Sequence, residues 1–204
     1  MARSPLFGRR VHIAGSIVED AAVAAAGDVE QARELVAALV KELVKRGANF
    51  VIPVDAEPAR KSDRLPICFD WLVWKMIKDN LALRPADVPG SLAVAVQHHK
   101  SEDQIPAEYA GLWDELRASP LVKIENAAQW NMNCKRMEAQ SRFGDILVVL
   151  GGAEGVLYLA NLYHDAGKPI VPLNIPLCPE TTGARRLYNF GLTSSQARRL
   201  FQIA

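Results

Sequence analysis

This sequence has few cysteines and almost no net charge. Its 204 residues include 3 cysteines, Cys68, Cys134 and Cys178, which are widely spaced and form no Cys-x-x-Cys pair. This spacing indicates neither a disulfide framework nor a zinc site. The formal net charge is only +1, which does not favour an extended nucleic-acid surface.

Membrane segments and common catalytic motifs are also missing. No apolar run reaches the length of a membrane span, and the N-terminal residues lack the apolar core of a signal peptide, so we expect a cytoplasmic protein with no membrane partner. There is no Gly-x-Ser-x-Gly elbow, Walker loop or His-Glu-x-x-His site. The adjacent His98 and His99 would point to opposite faces of a strand and could not easily share a metal ion. We therefore predict no metal or other cofactor.

What the sequence does contain is an apolar strand that runs into a glycine-rich loop. Residues 144–156 read Gly-Asp-Ile-Leu-Val-Val-Leu-Gly-Gly-Ala-Glu-Gly-Val. The helical spacing of apolar residues after this loop, the stop at 166–169 and an apolar run at 169–173 predict a strand–loop–helix–strand unit. In such units the backbone N–H groups of the loop face the carboxyl edge of the sheet, where they can bind a phosphate.

Strand and helix patterns alternate along the rest of the chain. The predicted strands are 11–17, 49–54, 91–96, 121–125, the central strand from 146, and 169–173. The predicted helices are one from Asp28 to a stop at 46–47, then 67–81, 106–118, 128–143, the helix after the glycine loop, 185–190 and 194–201. We predict one α/β domain over residues 1–204, with a Rossmann-like, doubly wound, mostly parallel sheet of about six strands and helices on both faces.

Three loops that contain glycine are predicted to meet at the carboxyl edge of this sheet. They follow the first strand, the fifth strand and the sixth strand, and they carry Gly15 and Ser16, then Gly151, Gly152, Glu154 and Gly155, then Thr182 and Gly183. Together their N–H groups and the Ser16 hydroxyl could hold a phosphate. The alternative is that each glycine only permits a turn with positive φ.

The helix before the central strand adds charged side chains near the same edge. Arg136 could pair with a ligand phosphate, and Glu138 could accept from a ribose hydroxyl or orient Arg136. A solvated helix face with i, i+4 partners would account for the same residues. Trp130 is placed where a base could stack, although tryptophans are more often core residues. His12, within the first strand, is predicted to be a packed core histidine.

Four segments of the sequence together carry a resemblance to a known superfamily. They are Ile13-Ala14-Gly15-Ser16, Arg136 nine positions before Asp145, the run from Leu150 to Gly155, and the run from Gly167 to Leu173. This set resembles the SLOG superfamily, which unites the DNA-processing Smf/DprA domain with the Lonely Guy phosphoribohydrolases and includes sensing domains of Thoeris-like immune effectors. The similarity covers most of the chain as an order of elements.

The chain departs from the enzymes of that superfamily at the catalytic position. Lonely Guy enzymes carry Pro-Gly-Gly-x-Gly-Thr-x-x-Glu, whose glutamate serves cleavage of the N-glycosidic bond of a nucleotide. Here Leu150 replaces the proline, Val156 replaces the threonine, and Tyr158 and Leu159 occupy the region of the glutamate. The resemblance therefore implies a sensor that binds a nucleotide-derived second messenger, of the ADP-ribose or cyclic ADP-ribose type, and regulates an effector in anti-phage defence.

The resemblance also implies a site and partners. The ligand would contact Gly15, Ser16, Arg136, Glu138, Gly151, Gly152, Glu154, Gly155, Thr182 and Gly183, and none of these residues would be catalytic. The domain would belong to a larger effector or bind one, and it would form a homo-oligomer. The alternative is a Lonely Guy-like phosphoribohydrolase or deoxyribosyltransferase-like N-glycosidase, with Glu154 or Glu138 as acid/base or nucleophile. DNA binding in the manner of Smf/DprA is disfavoured by the small net charge.

Overall fold

Strands and helices alternate along the chain in the computed structural model, which describes residues 3–128 and 133–192. The strands are β1 (Arg10–Ser16), β2 (Asn49–Pro53), β3 (Ala93–His98), β4 (Val122–Ala128), β5 (Ile146–Gly151) and β6 (Ile170–Leu173). The α-helices are α1 (Ala26–Lys45), α2 (Asp70–Asp79), α3 (Ala107–Ala118), α4 (Asn133–Phe143), α5 (Glu154–Asp165) and α6 (Gly183–Phe190). The predicted α/β alternation is confirmed.

The strands of the described residues form one sheet in the order β4-β3-β2-β1-β5-β6, and every neighbouring pair is parallel. The order reverses at β1, which has β2 on one side and β5 on the other. This confirms the doubly wound sheet. At such a reversal the connections leave toward opposite faces of the sheet, so that a crevice forms at the carboxyl ends of the two strands.

Helices cover both faces of the sheet, which explains why its strands are apolar on both sides. On one face, residues of α1, α2 and α3 pack with Val11 and Ile13 of β1 in the largest core cluster. On the other face, residues of α5 and α6 pack with Ala14 of β1, and Ala139 of α4 packs against β2 and β3. Within the described residues, no helix has the length and apolar character needed to cross a membrane.

Several predicted boundaries differ from the structure because contacts between distant segments decide them. The predicted helix 67–81 begins only at Asp70, since the Ile17 N–H donates to the Ile67 carbonyl and Cys68 pairs with Ser16 in an antiparallel bridge. Pairing with β3 extends β4 to Ala128, so α4 begins at 133 rather than 128. Trp130 and the predicted helix 194–201 lie outside the described residues.

One lysine caps the C-terminal end of α4 by donating hydrogen bonds to its carbonyl groups. The ammonium of Lys168 lies 2.6 Å from the carbonyl oxygen of Ser141, 2.7 Å from that of Gly144 and 3.3 Å from that of Arg142. The last carbonyls of a helix have no partner within the helix, and a cation there also interacts favourably with the helix dipole. Lys168 therefore ties the residues before β6 to the end of α4.

We predict that Lys168→Met lowers the free energy of unfolding by about 1 to 3 kcal/mol, because charge-assisted hydrogen bonds to helix carbonyls are lost. The matched control is Lys41→Met on the exposed surface of α1, which should change stability by less than about 0.5 kcal/mol. Urea denaturation of both variants measures the difference. Equal losses for the two variants would contradict this role of Lys168.

Candidate functional site

A cavity of about 300 Å³ lies at the carboxyl end of β1, between α4 and the start of α5. Its wall combines side chains of β1, the residues that lead into α2, one turn of α4 and the first turns of α5. The lining residues are His12, Ala14, Gly15, Ser16, Pro53, Cys68, Asp70, Arg136, Met137, Gln140, Ala153, Gly155, Val156 and Leu159. This is the position at which doubly wound sheets bind their ligands.

The lining divides into an apolar part and a polar part. Met137, Val156 and Leu159 contribute apolar surface, whereas Asp70 and Arg136 contribute a carboxyl and a guanidinium group. A site with a largely apolar wall and a few polar groups is typical of small-molecule pockets. The lining therefore suits a small ligand that has both apolar surface and polar groups.

The N-terminus of α5 contributes backbone donors to this site. Ala153 is the N-cap and makes no side-chain cap hydrogen bond, and Ala153 and Gly155 both line the cavity. In the described part of the chain, no group accepts a hydrogen bond from the N–H of Glu154 or Gly155. Free N–H groups and the positive end of the helix dipole together favour an anion at this place.

Asp70, the first residue of α2, is the carboxyl group in the cavity wall. Burial raises its pKa to about 7; the Arg136 guanidinium opposes this shift, and the carboxylates of Glu57 and Asp55 add to it. The protonated and ionised forms of Asp70 are therefore both present near neutral pH. A strongly shifted carboxyl in a cleft is a typical feature of a proton-transfer site.

Asp70 is not among the site residues predicted from the sequence. It lies within the predicted helix 67–81, and only its true position as the first helical residue brings it to the cavity. The one available signal was an acidic residue close to the polar loop that follows β2. Cys68 also lines the cavity, but burial raises the pKa of its thiol to about 12, so that it stays protonated and is a poor nucleophile.

Arg136 lies in the cavity wall, as its predicted role requires, but its charge is already balanced. Its guanidinium forms an ion pair with Asp55, which follows β2, and its side chain is only 12% exposed. Its Nε is buried and has no described hydrogen-bond partner. Glu138 does not orient Arg136, because it pairs with Lys135 at 2.7 Å on the helix surface. The solvated-face interpretation therefore fits Glu138.

The three glycine loops do meet, but several of their glycines pack on one another. Gly151, Gly152 and Gly183 all have positive φ. A Cβ atom on Gly183 would overlap the carbonyl oxygens of Gly151 and Gly152, and a Cβ on Gly15 would overlap that of Leu150. The positive φ values agree with the alternative that these glycines permit turns. The glycines also allow close contact between the loops.

The structure brings some of the predicted ligand residues to the cavity and leaves others outside it. Gly15, Ser16, Arg136 and Gly155 line it. Outside the lining are Glu138, Gly151, Gly152, Glu154, Thr182 and Gly183. Glu154 is exposed, and the hydroxyl of Thr182 donates to the carbonyl of Pro179 at 3.2 Å. Among the residues that the structure describes, no three His, Cys, Asp or Glu side chains could hold a metal ion together.

Comparison with known proteins gives one family and one structure. The model of the family described as "ATP nucleosidase Cap17-like, N-terminal" matches residues 6–204. No curated protein matches the chain. The X-ray structure of TM1055, a structural genomics target, is 14% identical with a TM-score of 0.47, and the match covers 96% of this chain and 99% of that chain.

We predict that Gly183→Ala destabilises the protein by about 1 to 3 kcal/mol more than Gly167→Ala, because overpacking costs this much in a tight interior. The two glycines are matched in backbone strain, with φ of +50° and +67°. A Cβ at Gly167 meets no atom within 4 Å, whereas one at Gly183 meets the carbonyls of the β5 loop. Chemical denaturation measures the difference, and similar losses would show that the loops are not in close contact.

Asp70→Asn should change how stability depends on pH. The folded protein keeps the proton of Asp70 up to about pH 7, whereas an unfolded chain releases it near pH 4. Between about pH 4 and pH 7 the folded state therefore holds more protons, and the free energy of unfolding of the wild type falls as pH rises. Asp70→Asn lacks this pH-dependent fall in the free energy of unfolding, because its side chain does not titrate.

We expect the melting temperature of Asp70→Asn, relative to wild type, to rise from about pH 5 to pH 7 and then level off. Asp79→Asn, at the exposed end of the same helix, is the matched control for removal of a carboxyl from α2. A constant offset for Asp70→Asn would mean that its carboxyl is ionised throughout this range.

Proposed function

Since the chain belongs to the Cap17-like ATP nucleosidase N-terminal family, we propose that its β1 cavity binds ATP and hydrolyses the N-glycosidic bond, releasing adenine. The observation that carries this proposal is Asp70. It is a carboxyl group in the wall of the cavity, and burial brings its pKa to about 7. A general acid or base works best when its pKa lies near the working pH.

The shape of the cavity supports a nucleotide with its phosphates toward solvent. A volume of about 300 Å³ is at the lower end of the range for small-molecule sites, so we place the nucleoside inside and the triphosphate at the mouth. The base lies against Met137, Val156 and Leu159. The phosphates lie at the N-terminus of α5, whose free N–H groups favour an anion.

Arg136 assists this binding as a hydrogen-bond donor, while Asp55 balances its charge. Its Nε is buried and without a described partner, so it retains one donor for a ligand oxygen. Its pairing with Asp55 holds the guanidinium at the cavity wall. This fixed position reduces the conformational entropy that the side chain would lose on binding.

The reaction needs one proton delivered and one removed, and both can pass through Asp70. The bond between C1′ of the ribose and N9 of adenine breaks, and its electron pair leaves with the base. Protonated Asp70 donates its proton to the departing base. Water then attacks C1′ and gives a proton to the ionised Asp70, so that the products are adenine and ribose 5′-triphosphate.

A second candidate is a sensor in which the same cavity binds an ADP-ribose-type messenger and leaves it intact. One observation favours it: Glu138 and Glu154, the glutamates considered as catalytic groups, both lie outside the cavity lining. The binding event would then pass to an effector of anti-phage defence, in the same polypeptide or in a partner. A homo-oligomer is part of this second proposal.

We expect purified protein incubated with ATP to release adenine and ribose 5′-triphosphate, identified by chromatography and mass spectrometry. Asp70→Asn should lower kcat by on the order of 10²- to 10⁴-fold, the usual contribution of a general acid or base. Calorimetry should show nearly unchanged ATP affinity in this variant, because Asn keeps the shape of the side chain. Asp79→Asn should retain full turnover.

The other outcomes separate the two candidates. Recovery of intact ATP, together with a rise in melting temperature on addition of ATP or ADP-ribose, would favour the sensor, since a ligand that binds only the native state stabilises it by mass action. Adenine release that survives Asp70→Asn would keep the nucleosidase but reject Asp70 as its acid. If no nucleotide is cleaved and none raises the melting temperature, both candidates are rejected.

A further inference from the structure

His12 is a buried polar residue that also reaches the cavity. It is 1% exposed and lies in β1, where Val11 and Ile13 face the opposite side of the sheet. Because successive residues of a strand alternate between faces, His12, Ala14 and Ser16 lie on the side of α4 and α5. All three line the cavity. His12 is farthest from the carboxyl edge and so belongs to the inner end of the site.

The hydrogen bonds of His12 fix the position of its ring proton. Its Nδ1 lies 3.2 Å from the hydroxyl oxygen of Tyr163, and that hydroxyl donates to the carbonyl oxygen of Gln140 at 3.2 Å. A phenol has one proton, and a carbonyl oxygen only accepts. Both contacts are satisfied when Tyr163 donates to Gln140 and the N–H at Nδ1 of His12 donates to Tyr163.

The other ring nitrogen is then an acceptor. A neutral imidazole with its proton on Nδ1 carries a lone pair on Nε2. Burial lowers the pKa of His12 to about 3, so the ring stays neutral at physiological pH. None of the described residues hydrogen bonds to Nε2, which leaves this acceptor for a ligand.

We propose that His12 selects adenine by accepting a hydrogen bond at Nε2 from the exocyclic amine of the base. Tyr163 and the Gln140 carbonyl act as positioning groups, because they hold the proton on Nδ1. This inference rests on the proposed function, which places the base at the inner, apolar end of the cavity. A 6-oxo purine would turn an acceptor toward Nε2, and two unpaired acceptors in a buried site are unfavourable.

ATP and ITP test this assignment, since adenine has an amino group at position 6 and an acceptor at N1, whereas hypoxanthine has an oxo group at position 6 and an N–H at N1. Wild type should prefer ATP in kcat/KM, and in affinity measured by calorimetry, by on the order of 10²-fold or more, because sites that hydrogen bond a group strongly reject analogues without it. His12→Asn should bring the ratio close to one, since an amide can turn either its oxygen or its NH₂ toward the base.

Tyr163→Phe tests the positioning step without touching the ligand. The N–H at Nδ1 loses its acceptor, the proton can move to Nε2, and ITP becomes acceptable. We expect the preference for ATP to fall by at least about tenfold, mainly through better use of ITP. The matched control is Tyr109→Phe, which removes a hydroxyl outside the cavity lining and should leave the ratio unchanged. A purely structural role of Tyr163 would lower both activities equally.

The outcomes distinguish this inference from the function on which it rests. If ATP is bound in preference to ITP but not cleaved, and Tyr163→Phe removes the preference, the selection by His12 stands and the nucleosidase does not. If ATP is cleaved but ITP equally well, or if Tyr163→Phe leaves the ratio unchanged, the nucleosidase stands and the selection is wrong. If neither nucleotide binds, both are wrong.

Discussion

The close approach of β1 to the glycine loop after β5 is the constraint on which the site depends. Ser16 pairs with Gly151 in the parallel ladder, and the N–H of Gly152 donates to the Ser16 carbonyl at 2.7 Å. A side chain on Gly15 would overlap the neighbouring strand. This contact places the N-terminus of α5 beside the end of β1. Backbone contacts therefore determine where the cavity lies.

Coverage of the sheet on both faces then determines the chemistry of the groups in that wall. Burial in a low dielectric disfavours the charged form of an ionisable group. It therefore lowers the pKa of His12 and raises that of Asp70. The same cavity thus contains a neutral imidazole in His12 and a carboxyl in Asp70 that titrates near neutral pH. Arg136 forms its ion pair with Asp55 at the same site.

The two candidate functions share one site and differ in one group. Binding of a nucleotide needs the apolar wall, the α5 N-terminus and Arg136, and both a nucleosidase and a sensor would use these. Cleavage needs in addition a carboxyl that exchanges a proton near neutral pH. In the proposed nucleosidase this group is Asp70, at the start of α2, rather than a glutamate on the helix after the glycine loop, where the Lonely Guy pattern has it. A departure from one family's motif therefore does not by itself remove the chemistry.

Local patterns in the sequence were enough to predict the alternation of strands and helices, the doubly wound class, and the meeting of Gly15, Ser16, Gly155 and Arg136 at one edge. These follow from local periodicity and from the rule that parallel strands end at a common edge. The environments of Asp70 and His12 follow only from the folded chain. The start of α2 depends on the bridge between Cys68 and Ser16, and the tautomer of His12 depends on Tyr163, 151 residues away in the chain. Burial and pairing between such distant residues set these pKa values and proton positions, and no local pattern carries that information.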